Sequence, residues 1–133
     1  MNFMTKTSDK TRRYNCIAWA VGDTEKWWWP LGFYWPSGVP REETLDAFIA
    51  LFRTLGYEDC YTPEFESGHI KIALFCKQDR PTHAARQLEN GFWTSKLGED
   101  IDVEHEFNEL ATIPKLANSY GDIVFLMKRK NAA

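Results

Sequence analysis

The chain has 133 residues, of which 26% are charged, 44% hydrophobic and 15% aromatic, with six tryptophans and a net charge of −3. This size and balance suit one globular domain with its own core. The net negative charge argues against a duplex nucleic-acid binder that works by neutralising phosphates. No apolar run reaches the ~18 residues that span a bilayer, and the start of the chain, MNFMTKTSDKTRR, has no apolar segment of the signal-peptide kind. Neither membrane insertion nor export is therefore expected. Three cysteines, at 16, 60 and 76, are an odd number without close spacing, the pattern of reduced thiols in a cytoplasmic protein.

Residues 1–12 read as a disordered polar tail, and 13–130 as a single domain. Cys16 to Val21 is a short apolar stretch between Asn15, a good N-cap, and Gly22, a good terminator, which predicts a short helix beginning at or near Cys16. The next segment, WWWPLGFYWPSGVP at 27–40, is an aromatic loop broken by prolines and glycines. A second helix follows. Pro40 suits its first turn, Glu42 and Glu43 complement its dipole, and Leu45, Phe48, Ile49 and Phe52 form one apolar stripe before Gly56.

Beyond it the period changes. His69 to Cys76 alternates loosely and predicts a half-buried strand. The runs 82–88 and 92–97 flank Asn90-Gly91, the strongest short-range hairpin signal. Asp122 to Met127 reads as a central strand, and 98–121 is ambiguous. The fold class expected is α+β, with two N-terminal helices and then an antiparallel sheet of four to five strands.

Cys16 stands out chemically. A thiol at a helix start feels the positive end of the dipole, which favours thiolate, and the N–H groups there can receive an oxyanion. The bland alternative is a small buried hydrophobe. His83, followed by two alanines, is an uncrowded candidate base; His69 and His105 are weaker ones. A third, orienting residue depends on hairpin register. A two-residue loop puts His83 on the face of Thr94 and Lys96, whereas a three-residue loop puts it with Ser95 and Leu97. Asp102 lies just beyond. No cysteine or histidine pair has metal-ligand spacing and no phosphate-cradling glycine loop is present, so no metal and no cofactor are expected. Trp28, Trp29 and Trp35 could wall a binding cleft, but packing over the core is favoured because Trp is mostly buried.

The strings NCIAWA (15–20), WWP (28–30), HAARQL (83–88), WTSKLG (93–98) and DVEH (102–105) together resemble an uncharacterised bacterial domain family. More distantly, the order of a Cys on an N-terminal helix, a His opening a strand and a polar residue on the next strand is similar to papain-like cysteine peptidases of the NlpC and CHAP types. That resemblance implies a papain-like arrangement and a thiol hydrolase or acyl-transferase acting on an amide or isopeptide bond. Cys16 would be the nucleophile, His83 the base, and Ser95 or Asp102 the third residue, with an intracellular peptide or protein as substrate. No Gln precedes Cys16 as the oxyanion donor, so Asn15 or backbone N–H groups would serve. The alternative is a binding module whose aromatic loop holds a small ligand or a protein partner with no bond broken.

Overall fold

The computed structural model describes residues 5–8, 14–96, 102–105, 107 and 121–131, with the backbone alone at 5–8, 96, 102 and 103. In chain order the elements are β1 (Thr5–Ser8), α1 (Cys16–Val21), α2 (Leu45–Thr54), β2 (Glu58–Cys60), β3 (His69–Lys77), β4 (Arg80–Gln87), β5 (Trp93–Lys96), β6 (Asp102–His105) and β7 (Asp122–Lys130). The strands make one seven-stranded sheet in the order β1-β6-β5-β4-β3-β7-β2, with antiparallel neighbours throughout. No helix among the described residues is long and apolar enough to cross a membrane.

The expected architecture is corrected by this sheet. Among the described residues there are seven strands and not four to five, the first of them precedes the helices, and the two helices are only six and ten residues long. It is not a papain-like arrangement. The physical reason lies in β1, β2 and β6, each three or four residues long. Strands that short carry too few residues to show an alternating pattern, and they exist because distant strands pair with them. Thr5–Ser8, inside the stretch read as a tail, is held by β6 through partners such as Thr5 and Glu104.

Local chemistry explains the helices. Asn15 caps α1 by accepting from the Ala18 N–H at 3.1 Å, and the Gly22 N–H returns to the carbonyls of Ala18 and Trp19. α2 begins later than Pro40 and the two glutamates suggest. Thr44 is its N-cap, with the side chain accepting from the Ala47 N–H at 3.2 Å, and a hydroxyl that satisfies an orphan donor outweighs a favourable proline.

The sheet buries both faces. On the helix side, Ile17, Ala18, Phe48, Leu51 and Phe52 pack over Ile72, Leu74, Ala84 and Met127. On the far side, Ala73, Phe75, Ala85 and Trp93 form a second cluster with Phe107, Ile123 and Leu126. Each fully buried large side chain contributes about 1.5–3 kcal/mol. The aromatic loop belongs to the first cluster, with Trp28 and Trp35 buried and Trp29 partly so. Trp29 and Trp35 both meet the Phe48 ring, at centroid distances of 5.2 Å.

Candidate functional site

Strand alternation decides what can meet what. Along β4, Ala84 belongs to the helix-side cluster and Ala85 to the far-side one. His83 pairs with Phe75 across the ladder, and its ring meets the Phe75 ring edge-on at 5.0 Å, so it sits on the far side. Cys16 is in the helix-side cluster, where its Sγ approaches the Thr82 carbonyl at 3.9 Å. The sheet therefore separates the thiol from the imidazole.

The hairpin takes the three-residue option. Gln87 pairs with Trp93, and the Leu88 N–H donates to the Phe92 carbonyl at 2.7 Å, leaving Glu89, Asn90 and Gly91 as the loop. Ser95 then shares the far face with His83, but its partner is His105: the Ser95 Oγ and His105 Nε2 are 2.8 Å apart. His83, Ser95 and His105 are all buried. Asp102 opens β6 opposite Lys96, with only its backbone described. Asn15 serves structure. Its amide donates to the Trp28 carbonyl at 2.7 Å and accepts from the Trp28 N–H at 3.0 Å. The indole N–H groups of Trp28, Trp29 and Trp35 donate to Asp23, Glu43 and the Pro40 carbonyl.

Burial, with the nearby His105 as a smaller cause, pushes the His83 imidazole down to about 3. A base that weak is poorly matched to neutral pH. It also makes a stability prediction. Below the ordinary value of 6.5, the unfolded chain takes up a proton that the folded chain refuses. The contribution is thus complete above pH 6.5 and is lost as pH falls toward 3. Stability at pH 4 should be about 3 kcal/mol lower than at pH 7 from this group, read by urea denaturation. His83→Phe should flatten that slope, and parallel curves for the two proteins would remove His83 as its source.

The far face also carries a slot that the sequence did not disclose. A cavity of about 350 Å³ lies between the 61–67 loop and the hairpin, bordered by Phe65, Gln87, Phe92, Trp93 and Phe107. That volume is within the range of small-molecule sites. Phe65 and Phe92, 48% and 41% exposed, line the cavity together with the Trp93–Phe107 pair, whose ring centroids lie 5.3 Å apart. The walls are fixed. Lys71, a cation within an apolar run of β3, buries its side chain and donates from Nζ to the carbonyls of Thr62 and Glu64 at 2.9 and 2.6 Å. Its place within an apolar run was the one signal in the sequence for this loop anchor. Gln87, at the neck of the hairpin, ties the Pro63 and Gly91 carbonyls together.

A family described as a domain of unknown function (DUF7689) matches residues 5–128. No curated protein and no solved structure matches the chain.

Proposed function

The chain belongs to the DUF7689 family, and from its geometry we propose that it is a binding module that holds a small aromatic ligand in the slot between Phe65 and Phe92. The observation that carries this reading is a cavity of about 350 Å³ with exposed rings on two walls, each wall tied down by buried polar side chains. Preorganised walls reduce the entropy lost when a ligand is taken up. The location of Cys16 and His83 on opposite faces favours binding over thiol catalysis. On this reading the ligand lies at the hairpin side of the sheet, and Trp28, Trp29 and Trp35 belong to the core. We place the module inside the cell, because all three cysteines are buried thiols outside any disulfide.

Ligand-observed NMR with a mixture of small aromatic fragments tests the reading. Hits are expected for the unaltered protein and for Cys16→Ser, and should vanish for the double variant Phe65→Ala, Phe92→Ala. Both phenylalanines are about half exposed, so that variant should keep its stability to within about 1 kcal/mol. Undiminished hits in a folded double variant would refute the slot as the binding site.

A further inference from the structure

Gln87 has a second role beyond fastening the two walls. Its side chain is 7% exposed and lines the slot. Its Nε2 donates to the Pro63 carbonyl at 3.0 Å and to the Gly91 carbonyl at 3.3 Å. Both partners are acceptors only, which identifies the nitrogen as the atom that faces them. The Oε1 atom therefore faces elsewhere, and no described residue donates to it. An amide held in place through its nitrogen presents a fixed acceptor. The slot is also bordered by the exposed Glu64, and no lysine or arginine is among its described lining residues.

An opening with aromatic sides, a fixed neutral acceptor and a nearby carboxylate complements a flat ring that carries a hydrogen-bond donor. It disfavours a ring that bears only acceptors or a negative charge. We infer that the slot selects planar aromatic or heteroaromatic molecules bearing an N–H donor, with Gln87 Oε1 as the acceptor and Phe65 and Phe92 as the flanking rings. This deepens the binding reading above and rests on it. A site built around a fixed, solvent-accessible acceptor rejects an isostere that lacks the donor, because the ligand then desolvates the acceptor without giving it a partner.

Indole and benzofuran are a matched pair of probes, alike in shape and differing in an N–H against an oxygen. Each is titrated into the isotope-labelled protein, and the amide signals of Gly91, Phe92 and Trp93 and the side-chain amide of Gln87 are followed. Indole should bind about tenfold more tightly than benzofuran, with the Gln87 side-chain amide shifting in the indole titration. Benzoate should leave these signals in place. Equal affinity of indole and benzofuran, both at the slot residues, would overturn the donor selectivity and leave the binding module standing. No shift at the slot residues with either probe would overturn the binding reading itself. Because the comparison is made between ligands, it does not depend on a Gln87 variant whose walls have lost their tie.

Discussion

Replacing Gly121 with alanine should cost about 4 kcal/mol or more and leave little folded protein at physiological temperature. Gly121 precedes the first residue of β7, where Asp122 pairs with Cys76 at the end of β3. A Cβ at this position would run into the Cys76 carbonyl oxygen and lie 2.8 Å from its carbon and 2.9 Å from the Lys77 Cα. All three atoms are backbone, so no side chain can swing away. The residue also has φ +76, where an L side chain adds about 1–2 kcal/mol of strain. Together these reach the range reserved for severe substitutions. Gly68 separates the two causes, having φ +79 with nothing within 4 Å of where a Cβ would stand. Gly68→Ala should therefore lose only the conformational part, about 1–2 kcal/mol. Urea denaturation of both variants checks this, and equal losses would show that the crowding against Cys76 is relieved by local movement.

Asn15→Ala should cost about 3 kcal/mol or more, a large effect for a polar residue beside a six-residue helix. The side chain is buried, with 4% of its surface exposed. Its oxygen accepts from Ala18 N–H and Trp28 N–H, and its nitrogen donates to the Trp28 carbonyl. Loss of an N-cap costs about 1 kcal/mol, and each of the two stranded Trp28 groups about 1–3 kcal/mol. Asn15→Ser should recover about 1 kcal/mol of this, since serine restores the cap but cannot reach across to the Trp28 backbone as the amide does. Chemical denaturation gives the two values. A serine variant as stable as the original would limit the role of Asn15 to capping.

How legible these features are in the sequence depends on the distance over which each is decided. The ends of α1 are settled by Asn15 and Gly22, immediate neighbours of the helix, and the sequence announces both. The apolar stripe of α2 is equally local, although its start is decided by the Thr44 hydroxyl and not by Pro40. The hairpin signal at Asn90-Gly91 is local too, but its register needed the observed pairing of Gln87 with Trp93. By contrast, β1, β2 and β6 owe their existence to partners far along the chain.

The candidate site shows the same division more sharply. Cys16 and His83 are legible as residues with reactive side chains, and the strand carrying His83 is legible as well. Which face of β4 the first helix covers is not, because it follows from packing Ile17 and Ala18 against Ala84. One step along an alternating strand changes the neighbour from a thiol to Phe75. The slot was hidden for a related reason. Phe65, Gln87 and Phe107 share no sequence motif, and they converge only because the 61–67 loop is fastened over the far face through Lys71.

The place of β7 has a consequence for the order in which the molecule can be built. It lies between β3 and β2, pairing with both, so two strands from the middle of the chain wait for one that is synthesised tens of residues later. Until Lys130 has left the ribosome, β3 has one open edge and β2 has none of its ladder. Antiparallel pairing over such separations closes slowly because the intervening chain must first give up its freedom. During that interval Leu74 and Phe75 are flanked by an unpaired backbone edge, the kind of surface that other chains can join. Completion of the sheet therefore waits for β7, and a nascent chain stalled before residue 122 would be the form most in need of a chaperone.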